Sequence, residues 1–250
     1  MSSSQPLYLT INCYFLLLML LVSACDTGRV KTQQTVAAAY TTKAPHSDGT
    51  GKIYLGREIA SVMSAAGGDW LERNTRQEEE NVALAIAKLG LQPNSVVADI
   101  GAGTGYYTFR IAPEVPQGKV YAVEVQDAFI SALKTRQQEL GLANVEVIKG
   151  TSQAPNLPTA SVDLVIMVDV YHELEYPQEM LQALHQTLKP TGKLLLLEYR
   201  AEDPAIPIKE LHKMSVAQAN KELGANGFKL YQKEDFLPIQ HFLLYEKGQE

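Results

Sequence analysis

Beyond residue 25 the chain has no cysteine: of 250 residues only Cys13 and Cys25 carry a thiol. Neither a disulfide nor a thiolate metal site can form in the rest, which must be held by an ordinary apolar core. Positive charge is also scarce, with 22 Lys and Arg against 28 Asp and Glu and a net charge of -6. Non-specific nucleic-acid binding, which normally needs a basic patch, is therefore not expected. Glycine (17) and proline (12) are not enriched, which excludes a fibrous or a disordered chain. No His, Cys or Asp spacing suggests a metal site, so no metal is expected. What is present is 46% hydrophobic residues, enough for one large core or two small ones.

No charged side chain occurs before Asp26. Residues 14–22 are apolar throughout and Ser23-Ala24-Cys25 follows, the layout of a secretory signal. Val22-Ser23-Ala24-Cys25 resembles the bacterial lipobox, whose cysteine is lipidated and becomes the new N-terminus. Signals usually open with Lys or Arg, and none precedes Cys25. An uncleaved anchor over the uncharged residues 7–24 therefore stands beside the lipoprotein reading. Asp26 after the cysteine resembles an inner-membrane retention signal. Either way the expectation is a membrane-attached protein of the cell envelope, facing the periplasm as a lipoprotein or the cytoplasm behind an anchor.

Residues 26–50 read as a flexible tether. From Ile53 to Leu89 helices are expected, with Ile59, Val62, Met63 and Ala66 at helical spacing, a break at Gly67-Gly68, and Asp69 as a cap. These accessory helices (51–92) include Trp70, Arg73 and Arg76, which suit either a lid or plain packing. Strands are expected at 95–100, 119–124, 145–149, 162–168, 193–198, 228–232 and 240–246. Helices are expected at 106–112, 128–140, 177–188 and 215–223. Near-continuous apolar strands alternating with helices predict an α/β fold, a doubly wound and mostly parallel seven-stranded sheet in a domain over 93–250.

The most informative stretch is Asp99-Ile100-Gly101-Ala102-Gly103-Thr104-Gly105-Tyr106. An apolar strand enters a glycine loop and then a helix, so backbone can approach a ligand closely. Dinucleotide sites want G-x-G-x-x-G, but the position that should hold the third glycine is Tyr106, which disfavours a nicotinamide dehydrogenase. A carboxylate at Asp99 would repel a pyrophosphate, whereas a ligand with an ammonium and a sulfonium would be attracted. Glu124 ends the next strand, where an acid can accept hydrogen bonds from two ribose hydroxyls.

On these residues the chain resembles the class I S-adenosylmethionine-dependent methyltransferases, whose first motif is hydrophobic-x-D/E-x-G-x-G-x-G. Leu157-Pro158 to Asp163-Leu164-Val165 and Leu188-Lys189-Pro190-Thr191-Gly192 look like that family's approaches to its fourth and fifth strands. The quinone-biosynthesis and related small-molecule group is the most similar. The resemblance implies a Rossmann-like fold, S-adenosylmethionine as cofactor and a small-molecule methyl acceptor. It implies a cofactor site of Asp99, Gly101, Gly103, Gly105, Glu124 and Asp169. Thr151 and Ser152 stand where the family usually has Asp-Ala, so a hydroxyl would have to serve adenine. Asp169-Val170-Tyr171-His172 does not match the Asn/Asp-Pro-Pro loop of enzymes that methylate bases or glutamine. His172 is the candidate general base, or else a cap of the following helix, with Tyr171 as a second catalytic candidate. His212 and His241 are further polar points. A catalytically silent nucleoside-binding module is the alternative function, because S-adenosylmethionine is made in the cytosol. Oligomeric state is not legible.

Overall fold

The computed structural model describes residues 40–248. The export-type segment at 1–25, the lipidation point Cys25 and the first part of the expected tether lie outside the described residues.

Three short strands come first, β1 (Tyr40–Thr42), β2 (Gly49–Tyr54) and β3 (Arg57–Ala60), forming an antiparallel sheet in that order. This corrects both the tether to residue 50 and the helix expected from Ile53. Leu55 and Gly56 have φ of 46° and 96°, the two left-handed positions of a tight hairpin turn, and Tyr54 pairs with Arg57 across it. The helical spacing of the apolar residues is accidental: Ile59 is buried while Val62 is 54% exposed, so they share no face.

Three short helices follow, α1 (Gly68–Leu71), α2 (Arg76–Glu80) and α3 (Val82–Ala87). Asn81, at φ 52°, separates the last two. Arg76 and Glu80 are both buried and paired at 2.8 Å, while α3 buries Val82 and Ala85. On one straight helix those two pairs would point to opposite sides. The turn at Asn81 lets both face inward.

The main sheet contains β4 (Val96–Ile100), β5 (Lys119–Glu124), β6 (Val145–Lys149), β7 (Val162–Val168), β8 (Leu188–Tyr199), β9 (Phe228–Glu234) and β10 (Gln240–Lys247). Its order is β6-β5-β4-β7-β8-β10-β9, with the first five parallel and β10 antiparallel to both neighbours. The expected seven-stranded α/β sheet is therefore present. Its crossovers are α4 (Thr108–Ile111), α5 (Asp127–Leu140) and α6 (Pro177–Thr187), and α7 (Val216–Gly224) leads into β9. Strand β8 starts earlier than expected, with Leu188 already paired to Val162.

Side-chain alternation divides the core between two layers. Leu195 and Leu197 of β8 join Val82, Phe109 and Leu133 on one face of the sheet. Leu194 and Leu196 join Leu181, Leu184 and Leu223 on the other. Strand order reverses between β4 and β7, so their carboxyl ends open a crevice there. Among the described residues no helix is long and apolar enough to cross a membrane.

Candidate functional site

The crevice holds two adjoining cavities. The smaller, about 210 Å³, lies over the glycine loop and is lined by Gly101, Gly103, Glu124, Thr151, Ser152 and Asp169 among others. Gly101 has φ +71°, and a Cβ there would come within 2.4 Å of Val170 Cγ2. No other residue type fits without moving the wall.

Glu124, buried at the end of β5, uses both oxygens on the backbone. Oε2 accepts from the Gly103 N–H at 2.9 Å, and Oε1 accepts from Val125 and Gln126 at 2.7 and 2.9 Å. Oε1 is thereby filled, and Oε2 keeps one lone pair for a ligand hydroxyl. The Gln126 side chain donates to the Met63 carbonyl and accepts from the Ala65 N–H. Those bonds fix the N-terminal segment as a roof, and Val62, Met63 and Leu71 line the cavity. Thr151 holds its own turn, accepting from the Gln153 and Ala154 N–H groups.

Two of the expected cofactor residues do not reach the cavity. The buried Asp99 carboxylate accepts from the Thr108 hydroxyl at 2.6 Å, tying the strand to the helix after the loop. Burial pushes its pKa up to about 6, against the lowering effect of Thr108. Gly105 leaves room for Phe109, whose ring a Cβ would meet at 2.3 Å. Both shape the loop from behind.

The larger cavity, about 530 Å³, shares Val62, Met63, Leu71, Asp169 and Glu173 with the smaller. Asp169, at φ 52° just after β7, accepts from Gln240 through Oδ2, whereas its buried Oδ1 has no protein partner. Burial raises its pKa well above the ordinary carboxylate range, and the nearby Glu80 and Glu198 raise it further. Glu80 is fully buried, paired with Arg73 at 2.6 Å and Arg76 at 2.8 Å, and accepts from the Tyr199 hydroxyl. Trp70 is 47% exposed at the rim, with the Arg73 guanidinium 4.0 Å from its ring centre. It is a wall of the cavity and does not pack the helices onto the sheet.

His172 follows β7 on a single 3₁₀ turn. Its Nδ1 lies 2.6 Å from Glu198 Oε2, and Glu198 Oε1 accepts from the Tyr171 N–H. Nδ1 is thereby the protonated nitrogen, and Nε2 is left facing His212 Nδ1 at 3.2 Å. Burial opposes a charge on His172, but Glu198, then Glu173 and Asp169, raise its pKa above the ordinary value. Glu173 Oε1 is 3.4 Å from His212 Nδ1 and 3.9 Å from His172 Nε2.

Tyr171, the second catalytic candidate, is corrected: it lines neither cavity. Its ring is fully buried and its hydroxyl donates to Glu222 Oε2 at 2.8 Å, fastening the 3₁₀ turn to α7. Glu222 is also paired with Arg57. His241 is structural, bonded to Glu202 at 2.8 Å. Glu198 and Tyr199 lie at the end of the expected fifth strand, at the edge where such a sheet places its ligands, whereas Glu80, in the run Glu78-Glu79-Glu80, gave no local signal in the sequence.

Comparison with known proteins matches this geometry. Residues 98–194 fit the methyltransferase-domain family. Over those residues the chain is similar to methyltransferase domains, and S-adenosylmethionine is the cofactor that this likeness implies. A tRNA U34 carboxymethyltransferase of Desulfotalea psychrophila is 35% identical over 102 residues, 40% of this chain and 31% of that protein. The ubiquinone/menaquinone biosynthesis C-methyltransferase UbiE of Ectopseudomonas mendocina is 29% identical over 112 residues, 44% of each. The chain thus spans less than half the length of either relative. A crystal structure of a SAM-dependent methyltransferase from Aquifex aeolicus shares the fold, with a TM-score of 0.69 at 24% identity over 74% of this chain and 98% of that one.

Proposed function

We propose that this protein transfers the methyl group of S-adenosylmethionine to a small-molecule acceptor bound in the larger cavity. The observation that carries the reading is the common wall: Met63, Leu71, Asp169 and Glu173 line both cavities, so two ligands would meet there. The residues of the smaller cavity fit the cofactor. Gly101 and Gly103 give a cradle without side chains, Glu124 Oε2 offers a lone pair to a ribose hydroxyl, and Asp169, whose Oδ1 has no protein partner, lines both cavities. When bound, the cofactor supplies a methyl on a sulfonium that is displaced in line, the electron pair of the broken C–S bond staying on sulfur.

The protein's share is positioning and exclusion of water. A 530 Å³ cavity suits a drug-sized molecule, and the net charge of -6 supports a small acceptor over a polynucleotide. At the wall His172 presents its second nitrogen, Nε2, toward His212 Nδ1, because Glu198 holds the other. That atom can take a proton from the acceptor or give its lone pair to a cation. Attachment to the cell envelope through residues 1–25 is a separate proposal resting on the apolar run and Cys25.

Calorimetric titration with S-adenosylmethionine, S-adenosylhomocysteine and NAD is the first test, followed by a screen of phenols, thiols and amines for S-adenosylhomocysteine release. Binding of the first two but not NAD, with turnover on one acceptor class, is expected. Binding without turnover on any acceptor would favour a silent nucleoside-binding module, and no binding would overturn the reading.

A further inference from the structure

The sequence shows no metal-ligand spacing, yet the fold brings three ligand atoms to one point in the wall of the larger cavity. His172 Nε2, Glu173 Oε1 and His212 Nδ1 all lie within 4.8 Å of one another. The first two residues sit on the turn after β7, and His212 comes from a 3₁₀ turn (Glu210–His212) after β8. We propose that these three atoms bind a divalent transition-metal ion of zinc-like preference, with an open coordination position facing the cavity for a hydroxyl of the acceptor. The role of the ion rests on the acceptor reading above; its binding does not.

Four observations support a cation at this point. The donor set is right: two imidazoles and one carboxylate are the three protein ligands of a familiar catalytic zinc type, which leaves a fourth position free. The spacing is right as well. Ligands held about 2.0–2.2 Å from a tetrahedral ion stand roughly 3.3–3.6 Å apart, and the three edges here are 3.2, 3.4 and 3.9 Å. A shift of a few tenths of an ångström would complete the site.

The orientation of His172 is fixed from behind. Glu198 takes its Nδ1–H at 2.6 Å and is itself held by the Tyr171 N–H, the arrangement that turns a metal-binding imidazole lone pair outward. Finally, charge needs balancing. Among the described residues the only ion-pair partners of Glu173 and Glu198 are His172 and His212. Charging both rings would set two imidazolium nitrogens 3.2 Å apart. A hydrogen-bonded chain from Glu198 through His172 to His212 is the competing arrangement. With the His172 proton on Nδ1, that chain runs from the His212 Nδ1–H to the His172 Nε2 lone pair, while Glu173 Oε1 accepts from the Met63 N–H at 3.2 Å and lies 3.4 Å from His212 Nδ1. A divalent ion satisfies all three atoms.

Bound here, the ion would act as a Lewis acid. A phenolic or other hydroxyl of the acceptor would coordinate it through oxygen, its O–H bond would break, and the proton would leave to solvent in the cavity. The oxyanion would then form the new O–CH₃ bond as the methyl leaves sulfur.

The test is titration of the full chain, made without a histidine tag and stripped with chelator, with zinc by calorimetry and with cobalt by visible absorption. One ion per chain and tetrahedral-type cobalt bands are expected. His212→Ala should weaken zinc at least about 100-fold and Glu198→Gln about 10–100-fold. Unchanged S-adenosylmethionine affinity in His212→Ala shows that this variant is folded, because His212 lies outside the smaller cavity. Glu173→Gln gives an independent second ligand variant, which should also weaken zinc. Absence of stoichiometric binding, or zinc affinity indifferent to both ligand variants, would overturn the site. Equal rates for stripped and loaded protein would overturn its catalytic role. Zinc binding in a protein with no affinity for S-adenosylmethionine would sink the methyl-transfer reading and leave the site standing.

Discussion

Asp99→Asn should stabilise the protein in a pH-dependent way. The Asp99 carboxyl is buried beneath the glycine loop and titrates near 6 when folded, against about 3.9 in an unfolded chain. Below pH 4 both states hold the proton and the site costs nothing. Between pH 4 and 6 the unfolded chain has released its proton and the folded one has not, so stability falls as pH rises. Above 6 the loss has reached its full size of about 3 kcal/mol. Asparagine cannot ionise and escapes that loss, although exchanging an oxygen for an amide near Thr108 carries its own cost. That cost does not change with pH. Urea unfolding of both proteins at pH 4 and at pH 8 therefore isolates the ionisation: the variant should gain about 2–3 kcal/mol on the wild type between the two pH values. The same difference at both pH values would show that Asp99 ionises freely, and the account of a desolvated carboxyl behind the loop would be wrong. Cofactor affinity, measured alongside, should change less than tenfold, because Asp99 does not line the cavity.

Glu124→Gln removes the charge beside the ribose position and turns one acceptor oxygen into a donor facing backbone N–H; it should weaken S-adenosylmethionine binding by about 1.5–3 kcal/mol in calorimetry while the protein stays folded. Tyr171→Phe removes the bond to Glu222 and should cost about 1–3 kcal/mol of stability on denaturation with cofactor affinity intact; a loss of affinity without a loss of stability would return Tyr171 to the site. Cys25→Ser should abolish labelling by a fatty-acid analogue, and a full-length N-terminus in membranes would favour the plain anchor.

The order and type of the elements from Val96 onward were legible because the central strands are apolar on both faces and most crossovers carry their own punctuation. Residues 40–60 were not, since Leu55-Gly56 lacks the usual Asn-Gly or Asp-Gly signature and a chance spacing around Ile59 imitated a helix. At the site, Gly101, Gly103 and Glu124 were readable from the loop pattern, and the structure brings Thr151, Ser152 and Asp169 to them. Asp99 was misplaced because a strand-end carboxylate reads the same whether it faces a ligand or, as here, a threonine one helical turn beyond the loop. Glu198 and Glu80 stand behind the cavity wall, and His212 lines it, only through tertiary packing, which brings together positions distant in sequence. No local pattern marks such convergence.

The larger cavity draws its wall from inside and outside the family-matched stretch. Asp169, His172 and Glu173 fall within the stretch shared with the methyltransferase-domain family, 98–194. Asp48, Met63, Trp70, Arg73 and Arg76 precede that stretch, and Tyr199, Lys209 and His212 follow it. The family-matched stretch thus carries the glycine loop, while much of the wall that would select an acceptor is written in the segments on either side of it. Relatives recognised through the module alone can differ freely in what they modify. Grafting residues 40–76 together with 199–212 onto a related module should carry acceptor choice with them.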